Sequence, residues 1–278
     1  MYTNAITRSN PSAFLFLIDQ SGSMSDIMPT GNTKAVEVAK ILNRLLADLT
    51  IRCTRADGVR DYFDVGVLCY NGDGVFNGFQ GDLSLSDLNP ISSIERSPIR
   101  IDEIIKKVPD DAGSFYEQTV KFPVWFDPTS KGGTPMCEAI TKAGEILVAW
   151  CSEPSHADSF PPTVLHISDG VATDGDPEGF AMNLQQIQIN DGSVLLFNLH
   201  LSTIENGQIQ YPSSESILPD EDSKRLFRMS SLLPKQMAEY AASKGFNVNQ
   251  ESRGFVFNAG YVDIVEFLDI GTRASQLR

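Results

Sequence analysis

Positive charge is scarce in this sequence. Its 22 lysines and arginines stand against 36 aspartates and glutamates, giving a formal net charge of -14 and a pI near 4.6. A surface with that excess repels phosphate backbones and anionic headgroups, so neither nucleic acid nor a membrane is expected as a partner. No window approaches the roughly 20 apolar residues of a membrane span. Residues 1–12 are polar, carry Arg8 and hold no apolar stretch long enough for a secretory signal. The expectation is a cytoplasmic protein. Cysteine is sparse too: Cys53, Cys69, Cys137 and Cys151 show no close metal-ligand spacing, and three stand among apolar neighbours as small buried thiols do. A disulfide framework is not expected. The chain also lacks internal repeats and low-complexity tracts.

What it has is a run of oxygen-bearing side chains at the end of an apolar segment. Asp19, Ser21 and Ser23 follow Phe14-Leu15-Phe16-Leu17-Ile18 at i, i+2 and i+4, where a buried strand gives way to a loop. At this spacing the side chains can turn toward one point and present only oxygen, the donor that hard divalent cations prefer. Two later segments also border elements. Gly132-Gly133-Thr134-Pro135-Met136 precedes a helical apolar pattern, and Ser168-Asp169-Gly170 follows the strand-like Thr163-Val164-Leu165-His166-Ile167. In an open α/β sheet, groups at the carboxyl ends of strands meet in one crevice, however distant in sequence. Each piece has an ordinary explanation by itself: Ser and Asp cap helices, Thr134-Pro135 suits a helix start, and Asp169-Gly170 is a turn dipeptide. Taken in order, all at element ends, they read as a metal site.

Asp19-x-Ser21-x-Ser23 with a remote Thr134 and a remote Asp169 resembles the metal-ion-dependent adhesion site (MIDAS) of von Willebrand factor A (vWA) domains. The resemblance runs from about residue 13 to about residue 271, with an enlarged middle near 80–131. It implies an N-terminal extension over 1–12 and a single vWA domain over 13–278. The implied class is α/β, with a doubly wound, mostly parallel central sheet, one antiparallel edge strand and helices on both faces. In the family's pattern Ser21, Ser23 and Thr134 offer hydroxyls, while Asp19 and Asp169 act directly or through water. Mg2+ suits such a shell because it keeps waters in an octahedral all-oxygen arrangement; Mn2+ and Ca2+ are the other candidates. Zinc would want nitrogen or sulfur.

The open metal position accepts a partner's carboxylate in that family, so the implied function is protein docking by an adaptor or regulator. Phe160-Pro161-Pro162-Thr163-Val164, Thr173-Asp174-Gly175-Asp176-Pro177 and Arg253-Gly254-Phe255-Val256-Phe257-Asn258 are similar to bacterial intracellular vWA proteins encoded beside phosphatases and kinases, tellurite-resistance-associated ones among them. This implies a signalling, stress or defence setting with a kinase or phosphatase as candidate partner.

Hydrophobic periodicity lays out the elements. Val36, Ala39, Ile41, Leu42, Leu45, Leu46 and Leu49 predict a first covering helix over 33–49. Residues 62–70 and 74–79 predict strands joined by Asn71-Gly72-Asp73, a hairpin signal that marks the antiparallel edge. A short helix is expected over 101–108, and the aromatics of 122–128 are expected to pack locally and pin the long excursion. Thr134 should open a helix to about Trp150, and residues 193–201 predict a central strand. After an irregular span over 202–222, a helix around 232–244 should end at Gly245, followed by a strand at 254–257 and a closing helix over 262–268. The acids Asp110, Asp111 and Glu117 and the loop 173–177 read as turns and helix caps rather than a second cation site.

Nothing points to catalysis. His166 and His200 lie in strand-like apolar runs and His156 in a polar loop, which favours hydrogen-bonded core imidazoles over a base for Ser23 or Ser168. Ser21-Gly22-Ser23-Met24 lacks the final glycine of a nucleophile elbow, and no Gly-Lys-Ser/Thr phosphate loop exists. An Mg2+-dependent phosphatase is the alternative, but aspartyl phosphatases carry a second acid where Ser21 stands. The chain is read as a non-enzyme.

Overall fold

The computed structural model describes residues 2–109, 115–203 and 207–258. Strand β1 (Ser12–Asp19) is buried at every position, and its apolar run divides by parity. Phe14, Phe16 and Ile18 enter one core layer; Ala13, Leu15 and Leu17 enter the other. An unbroken apolar run, rather than an alternating one, is what a central parallel strand requires. β1 pairs in parallel with β2 (Phe63–Asn71) on one side and with β6 (Thr163–Ser168) on the other. β7 (Leu195–His200) and β9 (Phe255–Phe257) extend the parallel region beyond β6. β3 (Gly74–Asn77) closes one edge antiparallel to β2, and β8 (Ile209–Gln210) closes the other antiparallel to β9. The path is β8-β9-β7-β6-β1-β2-β3, with Asn89–Pro90 pairing antiparallel on β2 as well. The fold is thus a doubly wound α/β sheet with antiparallel strands at both edges, where one was expected. A two-residue strand in a span without periodicity leaves no signal to find.

Helices cover both faces. On the Phe14 side, α1 (Lys34–Cys53) contributes Val38, Leu42 and Leu45, and α5 (Lys235–Ser243) contributes Met237 and Ala241. On the Leu15 side lie α2 (Met136–Cys151), α3 (Glu178–Leu184) and α4 (Glu221–Met229), supplying Ile140, Leu147, Leu184 and Leu226. α4 begins with a reciprocal capping box between Asp220 and Ser223. This nine-residue helix begins within the span expected to be irregular, 202–222. Among the described residues no helix is long and apolar enough to cross a membrane.

The chain leaves β1 for β2 on one side and enters β6 on the other, so the winding reverses between β1 and β6. Ile18 lies opposite Ile167 in their register. The residues that follow, Asp19 and Ser168, therefore leave the sheet level with each other, at the crevice where such sheets bind ligands.

The enlarged middle differs from the expectation. Residues 101–108 form no helix: they belong to β4 (Arg100–Pro109), which pairs along its whole length with β5 (Phe115–Val124) in a separate antiparallel ribbon. Ile101, Ile104, Ile105 and Val108 are β-branched and lose side-chain freedom in a helix, and pairing with the strand that follows decides the outcome. Asp110, Asp111 and the helix expected over 262–268 lie outside the described residues.

Trp125 and Phe126 are buried in the core layer on the Phe14 side, so the aromatic run packs into the main core rather than into a local cluster of its own. Asn43 of α1 fastens them. Its Oδ1 accepts from Trp125 N at 2.7 Å and Phe126 N at 3.0 Å, and its Nδ2 donates to Phe126 O at 2.7 Å and Ala39 O at 2.8 Å. Asn43→Leu keeps the volume and removes these bonds to the buried backbone groups of Trp125 and Phe126. It is expected to lower the unfolding free energy by about 2–4 kcal/mol, read from urea denaturation. A change under about 0.5 kcal/mol would remove Asn43 from this role.

Candidate metal centre

Asp19 is the last residue of β1, and the loop behind it folds back on its carboxylate. Oδ1 accepts from Ser21 N at 2.9 Å, and Oδ2 accepts from the hydroxyl of Ser168 at 2.8 Å, across the β1–β6 crevice. The hydroxyls of Ser21 and Ser23 lie 3.2 Å apart, with Ser23 in a short 3-10 turn at Gly22–Ser25. Asp19 is 1% exposed, and Ser21 is equally buried. Asp169 follows Ser168, is 8% exposed, and enters the same crevice.

The third arm, 131–134, is strapped to both neighbouring loops by backbone bonds. Lys131 N donates to Gln20 O at 2.8 Å, Gly22 N donates to Gly132 O at 2.8 Å, and Gly72 N donates to Lys131 O at 2.9 Å. The approach requires glycine on both sides. A Cβ on Gly72 would stand 2.8 Å from Gly132 Cα, and Gly132 itself has φ +64°. Thr134 is buried at the end of this arm. Its N–H donates to Thr173 Oγ1 at 2.8 Å and its carbonyl accepts from Thr173 N at 3.0 Å. Asp19, Ser21 and Ser23 are thus joined directly, Asp169 through its neighbour Ser168, and Thr134 through the backbone of its arm.

The acidic loop after β6 braces this arm. Asp174 accepts from Cys137 N at 3.1 Å and Glu138 N at 3.0 Å, capping the first turn of α2, and Asp176 accepts from Glu178 N at 3.1 Å at the start of α3. Both carboxylates satisfy helix amides, in line with the capping reading of 173–177.

Two features were not found in the sequence. Lys34, the first residue of α1, is buried with its Nζ 3.1 Å from Asp169 Oδ2 and 3.2 Å from Asp26 Oδ2. A lone lysine opening a helix carries no sequence signal. The second is a buried hydrogen-bond chain beneath the site. Tyr70 donates to His166 Nε2 (2.6 Å), and His166 Nδ1 donates to Asn198 Oδ1 (2.7 Å). Asn198 Nδ2 then donates to Ser230 Oγ (2.9 Å), and Ser230 donates to Leu226 O (2.7 Å). Burial holds His166 down at about 4, so it is neutral and both ring nitrogens are occupied. It has no nitrogen left to act as a base. His200 is also pushed down by burial and stacks on Phe257 at 4.9 Å between ring centroids.

Charge in the crevice does not balance. Two buried carboxylates, Asp19 and Asp169, face one buried ammonium, and Asp169 Oδ1 has no hydrogen-bond partner. Burial raises the Asp19 carboxyl to about 6, and the neighbouring charge of Asp169 adds to the rise against the hydrogen bonds from Ser21 and Ser168. A polar buried site short of positive charge, with oxygen donors from three loops, fits a small hard cation by donor chemistry. Among the described residues no group of three His, Cys, Asp or Glu side chains is placed to hold a metal, so the hydroxyls would have to complete the shell.

The raised Asp19 value has a direction in pH. An unfolded aspartate ionises near 3.8, so between about 4 and 6 the folded state binds more proton than the unfolded state. Stability is then lost as pH rises through that window. In chelator, the parent should lose on the order of 3 kcal/mol relative to Asp19→Asn between about pH 4 and 7, by urea denaturation. Parallel pH profiles for the two proteins would contradict a desolvated Asp19.

No protein-family description matches the chain, and no curated protein matches it. Among solved structures, the chain aligns over 59% of its length with three N-terminal domains of the type V pili tip protein Mfa5 from Porphyromonas gingivalis. That match has 16% identity and a TM-score of 0.33, and it spans 20% of the Mfa5 fragment. The separate structure of the Mfa5 vWF domain aligns over 59% of this chain and 39% of its own, at 15% identity and a TM-score of 0.32. An aerotolerance-related membrane protein from Bacteroides fragilis, with multiple mutations to serines, aligns over 93% of this chain and 98% of its own, at 12% identity and a TM-score of 0.41. Similarity of this degree identifies neither a ligand nor a role for this chain.

Proposed function

We propose that this chain is a vWA-type interaction module in which Asp19, Ser21, Ser23, Thr134 and Asp169 hold a divalent cation, Mg2+, that docks an acidic side chain of a partner protein. The observation that carries this reading is the charge deficit at the switch point: two carboxylates less than one-tenth exposed, against one ammonium. Uncompensated buried charge is costly, and a cation seated between these loops offsets it. The unpartnered Asp169 Oδ1 and the adjacent Ser21 and Ser23 hydroxyls support the same seat.

When bound, the ion supplies a strong local positive charge that attracts a carboxylate from outside. The chain's own residues hold the loops in position before it arrives. Ser168 and Ser21 fix Asp19, the paired glycines Gly72 and Gly132 admit the 131–134 arm, and Thr173 and Asp174 brace it. Such preorganisation suits binding and asks for no group that transfers protons. The resemblance to bacterial intracellular vWA proteins supports a cytoplasmic signalling, stress or defence setting with a kinase or phosphatase as partner.

Calorimetric titration with Mg2+ tests the proposal. The parent is expected to bind one ion per chain, and Asp19→Ala to bind more than about 100-fold more weakly with an unchanged far-UV CD spectrum, since even outer-shell substitutions cost about 10–100-fold. An acidic peptide captured by the loaded parent should be released by chelator. Equal Mg2+ affinity in the two proteins would refute the site.

A further inference from the structure

Lys34 stands where a lysine gains little from its helix. It is the first residue of the 20-residue α1, and a cation there opposes the helix dipole. It is 5% exposed, so its ammonium has been taken out of water and depends on its partners. Those partners are two carboxylates of different kinds. Asp169 Oδ2, at 3.1 Å, belongs to the buried crevice. Asp26 Oδ2, at 3.2 Å, belongs to a side chain that is 54% exposed. Asp26 is also tied to Lys34 through the backbone, its carbonyl accepting from Lys34 N at 3.0 Å. The other oxygen of Asp169, Oδ1, is buried and unpartnered. One carboxylate therefore has a tethered cation on one oxygen and an open donor position on the other.

We propose that Lys34 is a built-in counter-cation that competes with the site's divalent ion. It neutralises Asp169 in the metal-free protein and passes to Asp26 when the ion binds. This rests on the metal-site reading of the previous section. A divalent ion on Asp169 Oδ1 and the ammonium on Oδ2 would be like charges on one carboxylate in a little-screened site, and they would repel strongly. Lys34 need not travel far to relieve it, because Asp26 is already within hydrogen-bond distance and is open to solvent on its far side. The consequence is a set point. Lys34 keeps the empty crevice from carrying two uncompensated carboxylates and weakens ion binding in return. The loaded site then carries more positive charge than its two aspartates alone would leave it, which favours an incoming carboxylate.

The test is Mg2+ titration of the parent, Lys34→Met, Asp26→Asn and the double variant, with thermal unfolding in chelator and in Mg2+. Methionine keeps the apolar stem of Lys34 and deletes its charge. Lys34→Met should bind Mg2+ about tenfold or more tightly, and its melting temperature should rise further on adding Mg2+ than the parent's does. Asp26→Asn removes the ammonium's alternative partner and should bind at least about threefold more weakly, an effect that largely disappears in the double variant. An ion pair that is only structural would change the metal-free melting temperature and leave both affinities alone. If the parent binds Mg2+ and Lys34→Met binds equally or more weakly, the role of Lys34 is overturned while the metal site stands. If neither protein binds, both fall. Should Lys34→Met fail to fold, the half-exposed Asp26→Asn decides, and an unchanged affinity there overturns the proposal.

Discussion

A strand buried on both faces can present polar chemistry only where it ends. β1 ends in Asp19, between two parallel neighbours, at the place where the winding of the sheet reverses. Its carboxylate cannot turn to water. It meets Ser21, Ser168 and the charge of Asp169, in a crevice with one ammonium for two acids. Every other feature of the site answers that imbalance. The hydroxyls supply oxygen without adding charge, Lys34 supplies half of the missing compensation, and Asp169 Oδ1 is left without a hydrogen-bond partner.

The loops around Asp19 are held by the protein's own backbone. The 131–134 arm lies between the loop after β1 and the β2–β3 turn, fixed by three backbone hydrogen bonds and by a glycine-to-glycine approach that no side chain would permit. Thr173 and Asp174 of the loop after β6 reach the same arm and the start of α2. Four loops from separate parts of the chain thereby brace one another. Beneath them the Tyr70–His166–Asn198–Ser230 chain pairs buried polar groups of three strands and a helix end with one another, so both ring nitrogens of His166 are occupied. The arrangement is cross-braced and rich in oxygen.

Much of this was legible in the residues. The apolar run before Asp19 announced a doubly buried strand because burial on both faces requires it. The five candidate residues could be picked out because order and placement at element ends constrain them jointly, where any one alone reads as a cap or a turn, and the loops that carry them do meet at the end of the sheet. The hairpin at Asn71-Gly72-Asp73 and the burial of Trp125 and Phe126 were legible for equally local reasons. The ribbon of β4 and β5 was not. Its pairing depends on a partner segment, and Ile105 is 67% exposed within it, so no buried face imposes a period. Lys34 was invisible for a different reason: its buried partner, Asp169, lies 135 residues away.

The central claim is that these side chains gather around a single cation. A crystal grown in Mn2+ and measured for anomalous scattering tests it most directly. The account predicts one strong peak in the crevice, within bonding distance of the Ser21 and Ser23 hydroxyls and facing Asp169 Oδ1. A crystal with no peak there, or with manganese bound only at surface carboxylates, would contradict it.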